Sequence, residues 1–215
     1  MTDKLLGIIG ATYPLTVLDV GDMATLKANG MTFTVSAYRA EGLGHVSLMR
    51  AAGFFGLMKM DTLIINPTAL DLPLYSYDRI YAMGNDTLIV ELYDTLLDKF
   101  DASALAAAKS DFRDLPDRDA GEHWYDGIKL SESISKKGKK EVTARFDALA
   151  ILHLHAYLNS PAALITDAAA KREKASYYVE GLLINGGPST DVFKKTLGEE
   201  KTANLFRNVL FGTGL

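Results

Sequence analysis

The sequence predicts an α+β fold in which helices cover an antiparallel sheet. Strand-type alternation and turn signals fill the first part of the chain, and from Leu96 onward the apolar spacing becomes helical. Strands first and helices afterwards give layered α+β domains, whereas strands and helices in alternation give parallel sheets. No fixed-period repeat or low-complexity linker divides the 215 residues, so 1–215 is expected to form one domain.

Taken in order, Leu5 to Ala11 reads as a short helix, and Tyr13-Pro14 with Gly21-Asp22 marks a loop. Met31 to Tyr38 alternates, with Phe33, Val35 and Ala37 against Thr32, Thr34 and Ser36, so it is a strand. Gly42-Leu43-Gly44 turns the chain into a second strand, His45 to Met49, and Phe54 to Ile65 leads on into a hairpin pattern covering Met60 to Asp94. There Thr62 to Ile65 is strand-like, Leu72-Pro73-Leu74 interrupts, Asp78 to Met83 resumes, and Gly84-Asn85 turns into Thr87 to Val90. The sum is a meander of about five or six strands. Helical spacing follows over 98–109, 141–158, 166–183 and 190–211, the last two separated by the break Gly186-Gly187-Pro188. Residues 111–140 are the least regular, either an excursion over the sheet or a loop-rich edge.

Composition narrows the function classes. The 23 basic and 27 acidic residues leave a net charge of -4, which argues against a general affinity for nucleic acid or an anionic membrane surface. Small molecules or proteins are the expected partners. With no cysteine, disulfides, thiolate metal sites, iron–sulfur ligation and cysteine nucleophiles are excluded. No apolar run approaches the ~20 residues of a membrane helix and Leu5 to Ala11 lacks a secretory cleavage pattern, so the expectation is a cytoplasmic protein. Gly7-Ile8-Ile9-Gly10 has neither the spacing nor the context of a nucleotide-binding loop. His153 and His155 lie about 200° apart around a helix, a poor metal pair, and one packed and one solvated histidine is expected.

Two acids stand inside apolar strand pattern, Asp61 and Asp78, and a carboxylate there has either a charge partner or a chemical task. Ile80 and Ala82 share the face of Asp78 and leave room for a flat ligand, while Arg79, Tyr81 and Met83 take the other face. Trp124, within Glu122-His123-Trp124-Tyr125-Asp126, serves either edge packing or a ligand. The run Lys136 to Lys140 is either a solvated turn before the helix at Glu141 or a docking site for an acidic partner.

The order of several motifs resembles the superfamily of ferredoxin-dependent bilin reductases and red chlorophyll catabolite reductase. These motifs are His45-Val46-Ser47-Leu48, Met60-Asp61-Thr62-Leu63, Asp71-Leu72-Pro73 with Asp78, Arg113-Asp114-Leu115-Pro116 with Trp124, and Val192 to Gly198 with Val209-Leu210-Phe211. They run from about Ala24 to Phe211. The resemblance implies a three-layer α/β/α sandwich that reduces a linear tetrapyrrole with no bound cofactor, using electrons from an external ferredoxin and protons from side chains. It implies Asp78 as the proton donor, with Asp61 as a titrating partner at the family's histidine position. Ser47, at the family's glutamate position, with His45, Ile80, Trp124 and Asn185 are the implied substrate contacts. Two close carboxyls in a partly apolar pocket would raise the pKa of one of them. Ser47 and Asp61 depart from the family pattern, which leaves as alternative a non-catalytic protein binding a tetrapyrrole or another small molecule on the same fold.

Overall fold

The computed structural model describes residues 1–187 and 189–215; Pro188 of the predicted break lies outside them. Its centre is one antiparallel sheet of eight strands. These are β1 (Leu15–Leu18), β2 (Thr25–Ala28), β3 (Met31–Ala40), β4 (Gly44–Gly53), β5 (Met58–Pro67), β6 (Leu74–Ala82), β7 (Asn85–Tyr93) and β8 (Ile134–Lys139). β3 to β8 neighbour one another in chain order, and β1 and β2 both pair with the outer side of β3. The helices are α1 (Thr2–Thr12), α2 (Ser103–Ser110), α3 (Thr143–Leu158), α4 (Ala168–Asn185), α5 (Thr190–Leu197) and α6 (Glu199–Asn204), which passes into a wide π-type turn over Leu205–Leu210.

Burial explains the strand patterns. β3 alternates because only one of its faces is deeply covered, whereas β4, β5 and β6 lie under helices on both faces and are buried over much of their length, polar Ser47, Thr62, Ser76 and Arg79 included. On one face Val46, Leu48, Leu63, Tyr75, Tyr77, Leu88 and Val90 meet Leu5, Leu105, Phe146, Leu149 and Tyr157 of α1, α2 and α3. On the other, Phe33, Val35, Met49, Ile64, Leu74 and Tyr93 meet Tyr178, Val179, Leu182, Phe193, Leu205, Phe206 and Phe211. The result is the three-layer α/β/α sandwich. Among the described residues no helix is long and apolar enough to cross a membrane.

The structure corrects the sequence reading at three places. The loop expected after Tyr13 contains β1, which pairs with β3 through Leu15 opposite Ala40 and Leu18 opposite Ala37. The sheet has eight strands where five or six were expected. The lysine run belongs to β8 as far as Lys139, and Lys136 is buried, bonded to the Leu115 carbonyl at 2.8 Å and paired with Asp117 at 2.7 Å. His153 is fully buried in α3 and His155 is exposed, as their angular separation requires.

Candidate functional site

Strand parity decides which acids meet. In the β5–β6 ladder Thr62 lies opposite Asp78, and Asp61 lies opposite Arg79. Side chains of directly opposed residues leave the sheet on the same side. Asp78 therefore projects toward α4 and the C-terminal segment, while Asp61 projects toward α1, where it sits 3.9 Å from the N-terminal amine. The expected Asp61–Asp78 pair is not formed, because the whole sheet separates the two carboxyls.

Asp78 stands in the floor of a cavity of about 140 Å³ between this face and the layer above it. The floor comprises Met49, Met60, Thr62, Ile64, Ser76, Asp78, Ile80, Ile89 and Glu91, and Tyr178, Leu182, Phe206, Leu210 and Phe211 form the roof. Arg118, His123 and Tyr125 close one side. Thr62 Oγ1 donates to Asp78 Oδ1 at 2.5 Å. Desolvation lifts the Asp78 pKa from 3.8 to about 6, against the lowering effect of the Thr62 bond and helped by the negative charge of Glu91. A carboxyl so placed can carry a proton close to neutral pH.

Glu91, which the sequence reading did not single out, is the second carboxyl of the cavity. It lies opposite Ser76 in the β6–β7 ladder, diagonal to Asp78 on the same face. Tyr93 Oη donates to its Oε2 at 2.5 Å, and Lys129 Nζ lies 3.9 Å from its Oε1. The Tyr93 ring stacks on Tyr178 with centroids 3.8 Å apart and meets Tyr125 edge-on at 5.6 Å. A signal was available: Glu91 interrupts an apolar strand just as Asp78 does, with Ile89 and Tyr93 at matching parity.

The other expected site residues divide. Ile80 lines the cavity beside Asp78. Ser47 and His45 share that face but are engaged by the chain itself: Ser47 Oγ donates to the Leu210 carbonyl at 2.7 Å, and His45 Nε2 bonds the Val209 carbonyl at 2.8 Å. Asn66 Nδ2 donates to the Phe211 carbonyl at 2.7 Å, so three side chains of β4 and β5 hold three consecutive carbonyls of the roof. The next residue, Gly212, has φ +63, and a Cβ there would stand 2.6 Å from the His45 ring, so only glycine lets the chain pass. Burial holds the His45 pKa below its ordinary value. Trp124 packs behind the cavity wall, edge-on to Tyr125 at 5.3 Å and against Gly181, and its Nε1 donates to the Gly186 carbonyl at 3.3 Å. Asn185 ends α4 exposed and does not line the cavity. Arg79 takes the opposite face, buried against Asp86.

No protein-family model matches the chain, and no curated protein matches it in sequence. Among solved structures it is similar to phytochromobilin synthase from tomato in complex with biliverdin. The TM-score is 0.73 at 14% identity, over 99% of this chain and 83% of that one. At this identity the likeness establishes the fold.

Proposed function

We propose that the protein is a reductase of a linear, bilin-like tetrapyrrole that takes electrons one at a time from a reduced ferredoxin and protons from Asp78. The observation that carries this reading is a carboxyl with its pKa raised to about 6, aimed into an aromatic cavity, on the fold of a protein crystallised with biliverdin. Two electrons and two protons saturate one carbon–carbon double bond. With its pKa raised to about 6, Asp78 keeps a protonated fraction toward neutral pH, and a pigment that displaces water from the cavity raises its pKa further. Glu91 takes the place first given to Asp61 as the second carboxyl of the cavity, its negative charge favouring the protonated form of Asp78. Tyr93 and Lys129 hold it in place.

Binding requires the roof to move. A cavity of about 140 Å³ is smaller than the roughly 300 Å³ at which ligand sites begin, and a four-ring pigment needs more than that. The residues that give way are those of the roof, Tyr178, Phe206 and Phe211, because the floor is fixed in the sheet ladder.

The test is to mix the purified protein with biliverdin and related bilins, then add ferredoxin, its reductase and NADPH under anaerobic conditions. Wild type and Asp78→Asn should both shift the visible band of the pigment. Only wild type should then reduce it, more slowly as the pH rises through the pKa that Asp78 has beneath the bound pigment, above the ligand-free value of about 6. No shift with any linear tetrapyrrole well above micromolar concentration overturns the ligand assignment. A pigment that binds wild type and stays unreduced favours a binding protein, the reading suggested by Ser47 and His45 being bonded to the chain's own carbonyls.

A further inference from the structure

One edge of the sheet is a row of hairpin tips with unusual chemistry. In order across it come the β2–β3 turn at Asn29-Gly30, the β4–β5 turn at Phe54-Phe55-Gly56, the β6–β7 turn at Met83-Gly84, and the end of β8 at Lys139. Phe55 and Met83 are almost wholly exposed, Leu57 is 72% exposed and Phe54 half exposed. Among the described residues the four non-glycine positions with positive φ all lie on this edge: Asn29 (48), Phe54 (51), Phe55 (55) and Met83 (50).

Asparagine accepts that conformation readily, whereas phenylalanine and methionine pay a steric penalty. The Met83-Gly84 turn, with φ 50 then 72, is a geometry for which Asn-Gly is the favoured pair. Large apolar side chains thus occupy positions where turn chemistry disfavours them, and Phe55 and Met83 bury almost nothing inside the fold. Exposed apolar clusters of this kind mark contact with something outside the chain.

The flanking charge identifies it. Lys27 lies on the β2 side of the row, Lys59 beside the aromatic tip, and Lys137, Lys139 and Lys140 on the β8 side; all five are exposed, and none forms an ion pair among the described residues. Nearby acids are mostly engaged, Asp86 with Arg79 and Asp61 with the N-terminal amine, which leaves Glu141 beside Lys140. The line of tips, with lysines at both ends, spans roughly 29 Å from β2 to β8 at the usual strand spacing. A partner protein would need a groove shaped to this line. An anionic lipid surface is planar, fluid and negatively charged, and accepts it without one.

We infer that this edge docks on anionic membrane surfaces, with Phe54, Phe55, Leu57 and Met83 entering the interface and the lysines meeting lipid headgroups. The net charge of -4 averages over this local basic row. The Asp78 cavity reaches Met60 and Ile80, two residues in from the strand ends Met58 and Ala82, so the docked edge lies close to the cavity.

The experiment is co-sedimentation of the full chain with vesicles of phosphatidylcholine alone or mixed with phosphatidylserine, at low and physiological salt. Wild type should pellet with the anionic vesicles, less at higher salt, and not with phosphatidylcholine alone. The triple variant Phe55→Asn, Leu57→Ser, Met83→Asn, whose asparagines suit the turns, should keep its melting temperature and bind at least about tenfold more weakly. Lys59→Glu and Lys139→Glu should each weaken binding about fivefold or more at low salt. Failure of wild type to pellet with anionic vesicles at low salt overturns the assignment, as does binding that the triple variant leaves unchanged. A wild-type dimer abolished by the triple variant, without vesicle binding, would assign the edge to a second copy of the chain instead.

Discussion

Replacing Asp78 by asparagine tests the electrostatics of the cavity without any ligand. The side chain keeps its shape and can still accept the Thr62 hydroxyl bond of 2.5 Å, but it no longer ionises. In wild type the folded-state pKa stands at about 6 against 3.8 in the unfolded chain. A raised carboxyl pKa favours the fold fully below the unfolded value, and that advantage is lost as the pH rises through the folded value. At about 1.4 kcal/mol per pH unit, the displacement amounts to about 3 kcal/mol. Asp78→Asn should therefore match wild type near pH 3.5, gain stability steadily between about pH 4 and pH 6, and level off about 3 kcal/mol more stable above pH 7. Urea unfolding of both proteins across that range measures the difference directly. A difference that does not change with pH, or one that favours wild type above pH 7, would show that Asp78 is solvated or paired and would remove the basis for its role as proton donor.

Two further substitutions probe the walls around the cavity. Gly181→Ala would bring a Cβ within 2.0 Å of the Trp124 ring; it should cost about 1–3 kcal/mol and shift the emission of this single tryptophan to the red, and unchanged fluorescence would show that the contact is not formed. Arg79→Met would leave the buried Asp86 carboxylate without its counter-charge, removing guanidinium bonds of 2.5 and 2.7 Å and leaving only the Thr143 hydroxyl at 2.6 Å, and should cost about 3–5 kcal/mol in urea unfolding. The double change Arg79→Met, Asp86→Leu should restore most of that loss, and a loss in the single variant below about 1 kcal/mol would contradict the buried pairing.

Much of the fold is legible in the sequence because burial on one or both faces of a strand leaves a period that can be counted. β3 shows it by alternation and β5 by the run Thr62 to Ile65, whereas Ser76, Asp78 and Arg79 break the apolar pattern of β6. β1 and β8 are not legible for the opposite reason. β1 is four residues long and its central pair is exposed, and β8 holds three lysines, of which Lys136 is buried through a long-range pairing with Asp117. Asp78 is identifiable as an acid in a strand, but its partner is not. The connection from Pro67 to Leu74 is too irregular to carry parity across, and a shift of one residue moves Asp61 to the other side of the sheet. His45 and Ser47 sit on the expected face, yet their partners lie more than 160 residues away in the chain, beyond any local pattern.

That distance has a consequence for how the molecule is built. The bonds from His45, Ser47 and Asn66 to the roof close loops of 164, 163 and 145 residues, and loops of that length carry the largest entropic cost of closure. The sheet ladder, with its neighbouring hairpins, can assemble without them. The cavity is thus expected to form after the sheet and to open before it. In native-state hydrogen exchange the amides of Leu205 to Phe211 should exchange at lower protection than those of β4 to β6 beneath them, because the lid can lift while the sheet stays folded.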